Sequence, residues 1–361
     1  MEKEAKTILH IWGSDIFGVV GGLQKHLYFI LQTSRDLFSD SRVKAFLKLD
    51  NRNVLFALRV FFASLIYRPK LIIVGHVNFS PIAYIIKRLT KIPFWVVTYG
   101  IEAWGIRKNL LKKSLLASDR ILAMSNFTKN RIASEQNMPL DKISVLPGTF
   151  DAQLFRIKPK SAYLLSKYRL NQKQPVILTV CRLDKAEKYK GYDKIIAAMP
   201  SMIKYFPDIR YILVGYGSDT EKIKELVKKF KLDKYVILPG KITGEELCDY
   251  YNLCDCFAMP SAGEGFGIVF LEALACGKPV LAGNQDGSVE ALQNGELGVL
   301  VNPDNINEIT DSLIQILKKE HPNKTIYNPQ LLREKAIAYF GFNQFKMTLK
   351  KYLKEQNICV E

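Results

Sequence analysis

The chain lacks most features that mark metal-binding, disulfide-stapled or membrane-spanning proteins. It has four histidines in 361 residues, and its six cysteines form no C-x-x-C or Cys/His ligand spacing. Free thiols in a reducing cytoplasm are the expected state, with a zinc site as the minor alternative. The charged N-terminus is not followed by a secretory apolar segment. Low-complexity tracts are absent, and 48% of the residues are apolar, so a folded globular chain long enough for two domains is expected.

Acidic residues are scarce in one part of the chain. Residues 51–118 hold eleven Lys and Arg but only one acid, Glu102, so ten of the seventeen excess positive charges lie there. Such a cluster favours an anionic partner, either a membrane surface or nucleic acid. The segment shows no recognisable nucleic-acid module, so no nucleic-acid partner is predicted.

An apolar run at 54–67, with Arg59 inside it, lies within this basic segment. It is shorter than the ~20 residues needed to span a bilayer. Two alternatives remain open, a buried helix or a helix in the membrane interface. The run alone favours a buried helix, whereas the surrounding basic residues favour a membrane-facing one.

Apolar strands alternate with helix-length segments throughout, which is typical of open parallel sheets. Six strands are predicted in each half, at 7–12, 43–47, 71–74, 94–98, 120–123, 144–146, 176–180, 211–214, 236–238, 256–259, 280–282 and 298–301. The polar stretch between Phe150 and Gln174 is the predicted linker. Two such α/β domains would place ligands at the carboxyl ends of their strands.

One loop–helix–strand segment carries two acids. Glu264 and Glu272 bracket seven residues, and a glycine-rich turn leads from the first acid into an apolar helix that Gly277 and Pro279 end. A helix N-terminus without bulky side chains suits a diphosphate, and the flanking carboxylates suit hydroxyl groups. The alternative is that neither acid binds a ligand, Glu264 being an exposed loop acid and Glu272 an acid on the helix surface. Glu272, however, lies in an otherwise apolar segment, so it needs a hydrogen-bond donor.

Further candidates follow other strands. Arg182 comes directly after the predicted strand at 176–180, and Lys190 precedes a glycine; together they suit a departing diphosphate, although a solvated basic loop is equally compatible. Gly21 and Gly22 lie between the first strand and a helix, where backbone can approach a phosphate, and a plain tight turn is the alternative.

The whole chain resembles the retaining, nucleotide-sugar-dependent glycosyltransferases of the GT-B fold, family 4 (glycosyltransferase group 1). The E-x7-E segment at Glu264 and Glu272 carries the resemblance, together with the Arg182 and Lys190 pair and the segment 275–280. The resemblance implies two Rossmann-like doubly wound domains facing a central cleft. It implies an acceptor-side domain at 1–155, a nucleotide-sugar-binding domain at 156–328, and a helical segment at 329–361 that packs back toward the N-terminal domain.

The resemblance also implies roles for individual residues. Glu264, Arg182 and Lys190 are the implied catalytic residues, with Glu264 at the transferred sugar and the two cations at the leaving diphosphate. Glu272 is assigned to the ribose hydroxyls, and the other donor-binding positions are Phe266, Gly267, Ile268, Val269, Gly21 and Gly22. No metal or cofactor is expected.

One position departs from the family. Where the family commonly has His-Gly followed by an acid, this chain has Tyr99, Gly100 and then Glu102. A histidine contact to the sugar therefore cannot be carried over, and Tyr99 and Glu102 are only candidates for the sugar or acceptor side.

The predicted activity is transfer of a hexose-type sugar, from a UDP- or GDP-sugar to a glycan or lipid-linked acceptor, in envelope or exopolysaccharide synthesis. The predicted location is cytoplasmic, with peripheral attachment to an anionic membrane through the basic N-terminal half. A nucleotide-sugar epimerase and a catalytically silent nucleotide-sugar-binding protein remain the alternatives.

Overall fold

A computed structural model describes residues 7–12, 21–48, 53–242 and 244–358. In this part of the chain the strands are β1 Ile8–Trp12, β2 Val43–Leu47, β3 Leu71–Val74, β4 Phe94–Thr98, β5 Arg120–Ala123, β6 Ile143–Val145, β7 Val176–Val180, β8 Arg210–Val214, β9 Val236–Gly240, β10 Cys256–Met259, β11 Val280–Gly283 and β12 Val299–Val301. Each predicted strand is present, with its ends within two residues of the prediction.

The helices are α1 Gly22–Phe38, α2 Asn53–Tyr67, α3 Ser80–Thr90, α4 Asn109–Ala117, α5 Asn126–Gln136, α6 Ala162–Lys167, α7 Tyr192–Ile203, α8 Thr220–Lys229, α9 Gly244–Leu253, α10 Ile268–Ala275, α11 Ser288–Ala291, α12 Ile306–Lys318, α13 Pro329–Phe340 and α14 Phe342–Glu355. None of these helices is long and apolar enough to cross a membrane.

The first compact unit comprises residues 1–149 with 342–361. Its parallel sheet has the order β2-β1-β3-β4-β5-β6. Successive strand residues point to opposite faces, so Ile8 packs into one core and Leu9 into the other. The first core is closed by α1 and α14, the second by α2, α3, α4 and α5. Both faces are covered, which explains why these strands are apolar along their whole length.

The second unit comprises residues 150–341. Its sheet is also parallel, with the order β12-β11-β10-β7-β8-β9. The strand order reverses between β7 and β10, which are neighbours in the sheet. In doubly wound sheets ligands bind outside the carboxyl ends of the strands at such a reversal.

The unit boundary falls at 149/150 instead of the predicted 155/156. Phe155 packs edge-to-face on Tyr251 with ring centroids 5.6 Å apart, so the intervening residues belong to the second unit. The predicted linker packs there too, because Lys158 pairs with Asp249 at 3.2 Å.

The C-terminal helical segment is divided between the units instead of forming one piece from residue 329. Arg333 of α13 donates to the carbonyl oxygens of Ala152, Phe155 and Ala275, which holds α13 in the second unit. Gly341 is the last residue of that unit, and α14 packs beside α1 in the first.

Candidate active site

Two loops meet at the strand reversal of the second unit. One follows β7 and contains Arg182 and Lys190; the other follows β10 and contains Glu264. The strands pair directly, and the Ala262 N–H donates to the Tyr189 carbonyl at 2.8 Å, which joins the loops. The sheet topology thus brings together three residues that are up to 82 positions apart in sequence.

Gly191 is needed for this close approach. Its φ is +75°, and a Cβ added there would lie 2.3 Å from the Pro260 carbonyl oxygen. It also stands at the N-cap of α7, so the chain turns sharply after Lys190. The glycine therefore fixes where the lysine side chain begins relative to the β10 loop.

Two cations and two carboxylates form a compact cluster at this edge. Lys190 Nζ lies 2.5 Å from Glu264 Oε1 and 3.5 Å from Glu187 Oε2, and all three side chains are at most 13% exposed. Arg182 pairs with the other oxygen of Glu187 but is 73% exposed. Burial lowers the pKa of Lys190, but the acidic groups around it, Glu264 foremost, more than offset this, so its pKa stands above the ordinary value. Lys190 therefore stays charged at neutral pH.

Asp286 stabilises the Glu264 loop through hydrogen bonds to its carboxylate. Its carboxylate accepts from the Glu264 N–H at 2.7 Å, from Ser261 Oγ at 2.8 Å and from the Ser288 N–H at 2.9 Å. Burial raises its pKa, although these bonds act in the opposite direction. Sequence reasoning missed Asp286, because only the fold places it against a loop 22 residues earlier.

The N-terminus of α10 lies beyond the Glu264 loop. Gly267 is its N-cap with φ +88°, and a Cβ there would lie 2.3 Å from the Phe270 ring. Phe266 is buried with its ring against Phe340, so only the backbone of this residue is available to a ligand. The first turn, which includes Ile268 and Val269, carries no acid. Its Phe270 N–H donates to the carbonyl of the N-cap Gly267 at 3.1 Å, and the N–H groups that begin a helix point outward from it.

Glu272 is fully buried on α10. The hydroxyl of Tyr251, on α9, donates to its Oε2 at 2.8 Å. The pKa of Tyr251 is raised well above its ordinary value by burial and by this carboxylate. The hydrogen-bond donor that the sequence required for a buried acid is therefore, at least in part, a protein hydroxyl. The helix ends as predicted, with Gly277 at φ +69°.

The remaining candidates lie in the first unit. Glu102 Oε1 accepts from the backbone N–H groups of Tyr99, at 2.5 Å, and Gly100, at 3.3 Å, so this acid holds its own turn together. The Tyr99 hydroxyl is buried and has no hydrogen-bond partner among the described residues. Burial, with Glu102 adding to it, raises its pKa well above the usual range.

The predicted glycine loop is only partly described. Gly21 is the N-cap of α1 with φ −92°, and Gly22 is the first residue of that helix. A Cβ at Gly21 would meet only the end of the Gln24 side chain, at 2.7 Å. Residues 18–20 lie outside the described part. Within the described ranges no three His, Cys, Asp or Glu side chains are grouped to hold a metal ion.

The fold matches solved structures over nearly its whole length. It aligns with Anabaena HepE in complex with UDP-glucose at a TM-score of 0.80 and 19% identity, covering 96% of this chain and 99% of that one. Sucrose-phosphate synthase of Thermosynechococcus elongatus aligns at a TM-score of 0.80 and 17% identity, over 97% and 99% of the two chains. Two Rossmann-like units with six-stranded parallel sheets define this class of protein as GT-B.

Sequence comparison finds a family model that matches part of the chain. Residues 164–331, which contain Arg182, Lys190, Glu264 and Glu272, match the model described as Glycosyl transferases group 1. The match lies within the second unit and covers just under half of the chain.

Two relatives illustrate how far the sequence similarity extends. A GDP-mannose-dependent alpha-(1-6)-phosphatidylinositol monomannoside mannosyltransferase of Mycobacterium tuberculosis is 31% identical over 232 residues, 61% of this chain and 59% of the relative. N-acetyl-alpha-D-glucosaminyl L-malate synthase of Bacillus anthracis is 24% identical over 218 residues, 60% of this chain and 55% of the relative. The matches thus span less than two thirds of these relatives.

Proposed function

We propose that this chain is a retaining, metal-independent glycosyltransferase that moves a hexose-type sugar from a nucleotide-sugar donor. The observation that carries the proposal is the Lys190–Glu264 pair, 2.5 Å apart at the strand reversal, with Glu264 four residues before the first residue of α10. A cation and a helix N-terminus suit a diphosphate, and a carboxylate beside them suits a sugar hydroxyl.

In the proposed reaction the bond between the anomeric carbon and the diphosphate oxygen breaks, and negative charge develops on that oxygen. The anomeric carbon forms its new bond to the acceptor hydroxyl oxygen on the same face of the sugar, and the hydroxyl proton passes to the departing diphosphate. Lys190 and Arg182 stabilise this charge, which is larger in the transition state than in the bound donor. Backbone N–H groups at Gly267, Ile268 and Val269 add to the stabilisation. Glu264 orients the transferred sugar, and Glu272 is assigned to the ribose hydroxyls.

The donor is proposed to be a UDP- or GDP-sugar. Support comes from the relatives, since the mycobacterial protein is named as GDP-mannose-dependent and the Anabaena structure contains UDP-glucose. The acceptor is proposed to be a glycan or a lipid-linked precursor in envelope or exopolysaccharide synthesis. The site of action is the cytoplasmic face of the cell membrane, to which the basic residues of the first unit attract the enzyme.

A donor panel tests the proposal directly. Thermal unfolding of the purified chain is measured with UDP-glucose, GDP-mannose and ADP-glucose, each with its matching nucleoside diphosphate. A donor at 100 times its Kd stabilises the folded state by about 2.7 kcal/mol. Product analysis with the stabilising donor then separates three activities: release or transfer of the sugar supports the proposal, interconversion of the sugar indicates an epimerase, and an unchanged donor indicates a silent binding protein. Failure of every donor to shift the unfolding midpoint would contradict nucleotide-sugar binding.

A further inference from the structure

Helix α2 is apolar on two faces, only one of which is packed. Phe56, Val60 and Ala63 are buried in the core of the first unit. Six other aliphatic or phenyl side chains on this helix are between 43% and 75% exposed: Val54, Leu55, Leu58, Phe62, Leu65 and Ile66. At about 100° per residue these six fall within a sector of roughly 120° on the side away from the core. Exposed apolar surface of this extent marks an interaction site.

The neighbouring helix extends this surface. Helix α3 packs beside α2, and its Ile85 and Leu89 are 51% and 67% exposed. We call the exposed apolar side chains of α2 together with Ile85 and Leu89 the α2–α3 face. It belongs to the first unit and includes none of the residues assigned to donor chemistry.

Exposed basic residues accompany this face. Arg59 lies on α2, Arg68 and Lys70 follow it, and Arg88 and Lys91 lie at the end of α3. Over 53–118 the only acid is Glu102, and its carboxylate accepts from the backbone of its own turn. The segment therefore carries a large excess of positive charge.

We propose that the α2–α3 face docks on a bilayer that contains anionic phospholipid, with α2 lying in the interface. This inference deepens the proposed function by naming the surface through which the enzyme reaches a lipid-linked acceptor. An apolar sector with cationic residues around it matches acyl chains next to anionic headgroups. A second copy of this chain fits less well, because an isologous contact sets two like-charged surfaces against each other. Nucleic acid offers no apolar surface for the centre of the face.

The test is cosedimentation of the full chain with vesicles of phosphatidylcholine alone or with 30% phosphatidylglycerol added, a mixture of about that fraction being enough to give a negative surface. We expect binding to the anionic vesicles only. The variant L58S/F62S/I66S removes three side chains that are already exposed, so the packed face of α2 is unchanged. Since burying such a side chain from half exposure is worth about fivefold in affinity, the triple variant should bind about 100-fold more weakly.

The matched control is L140S/I306S/M347S, which alters three comparably exposed apolar residues outside the face. A second variant and its control test the contribution of the basic residues. R59Q/R88Q should weaken vesicle binding about 30-fold, at about fivefold per cation, whereas K228Q/K229Q on α8 should leave vesicle binding unchanged. Donor-induced thermal stabilisation is measured on every variant and should be retained, since these residues lie outside the donor site.

Three results would overturn the docking proposal. They are equal recovery on both vesicle types or on neither, equal loss in the control triple, and concentration-dependent dimerisation that L58S/F62S/I66S abolishes. In each case retained donor stabilisation leaves the proposed sugar transfer from a nucleotide-sugar donor standing, and only the proposed membrane attachment fails. If no donor stabilised the wild type against thermal unfolding, that result would instead contradict the proposed function.

Discussion

Replacing Lys190 tests whether the charge cluster of the second unit is one coupled unit. Lys190→Met keeps the length of the side chain but leaves Glu264 and Glu187, each at most 13% exposed, without their shared cation. Breaking a buried pair in this way costs about 3–5 kcal/mol. Glu264→Gln should cost less, about 1–3 kcal/mol, because Glu187 still faces Lys190 at 3.5 Å.

The double variant Lys190→Met/Glu264→Gln measures the coupling free energy between the two side chains. It removes both charges of the 2.5 Å pair and leaves Glu187 to Arg182, so its cost should be smaller than the sum of the single costs by about 2 kcal/mol. The matched control is Lys194→Met, which breaks the 3.0 Å pair with the exposed Asp304 and should cost at most about 1 kcal/mol.

The distribution of tryptophan makes the assay specific to the unit. All three tryptophans, at positions 12, 95 and 104, lie in the first unit. Urea unfolding followed by far-UV circular dichroism reports both units, whereas tryptophan fluorescence reports the first. We expect Lys190→Met to move the dichroism transition and to leave the fluorescence transition in place. Strictly additive single and double variants, or a fluorescence shift as large as the dichroism shift, would refute the coupling.

Three further predictions use the same assays. Arg182→Ala should cost under about 1 kcal/mol of stability, because this side chain is mostly exposed, yet lower kcat far more than donor affinity; an equal loss in both would contradict its role at the leaving group. Tyr251→Phe removes a buried donor to Glu272 and should cost about 1.5–3 kcal/mol, and an unchanged dichroism midpoint would show that this hydrogen bond contributes nothing. Burial lowers the pKa of His10 to about 3 and of His26 to about 4. Both imidazoles therefore stay neutral in the folded first unit, whereas in the unfolded chain they take up protons below pH 6.5. The free energy of unfolding should therefore decrease as the pH is lowered from 7.5 to 5, by about 2 kcal/mol per histidine. A urea midpoint by fluorescence that does not change over that range would contradict this.

Strand positions were predictable because a parallel sheet covered on both faces requires continuous apolar runs. β4 and β7, for example, lie at the predicted residues. The sharp helix end at Gly277 was predictable as well, since a left-handed conformation there favours glycine. These features depend on local sequence alone.

Side-chain partners across elements could not be predicted. The Tyr251–Glu272 bond joins α9 to α10, and Asp286 reaches back to the Glu264 backbone from the loop after β11. Nothing in either local pattern separates these polar residues from solvent-exposed ones. The sequence did predict that a buried Glu272 needs a donor, but only the packing of two helices identifies which hydroxyl donates.

The run at 54–67 shows a different limit. Hydrophobic periodicity separates a buried face from a solvated one, but both faces of α2 are apolar. A buried helix is correct for one side of α2, and a place in the membrane interface stays a prediction for the exposed side. A pattern without a polar face predicted the helix and left its orientation open.

The neutral charge cluster implies an exchange of partners when a donor binds. Lys190 is already held by two carboxylates, so in the proposed reaction a diphosphate that takes over the lysine releases Glu264 to accept a sugar hydroxyl. Diphosphate binding and sugar recognition would then be linked through one side chain. Glu264→Gln should leave the affinity for UDP or GDP alone unchanged or higher, because the lysine is no longer occupied by that acid.

The same variant should lose the part of the donor affinity that comes from the sugar. A hydrogen bond to a charged group contributes about 1.5–3 kcal/mol, which corresponds to about 10- to 150-fold. The measurement is the ratio of Kd for the nucleoside diphosphate to Kd for the nucleotide sugar, by calorimetry, in wild type and Glu264→Gln. Glu272→Ala is the comparison, since loss of a ribose contact weakens both ligands alike and leaves the ratio unchanged. If Glu264→Gln instead weakened both ligands by the same factor, the acid would act on the nucleotide or on the fold of its loop, and the proposed exchange would be wrong.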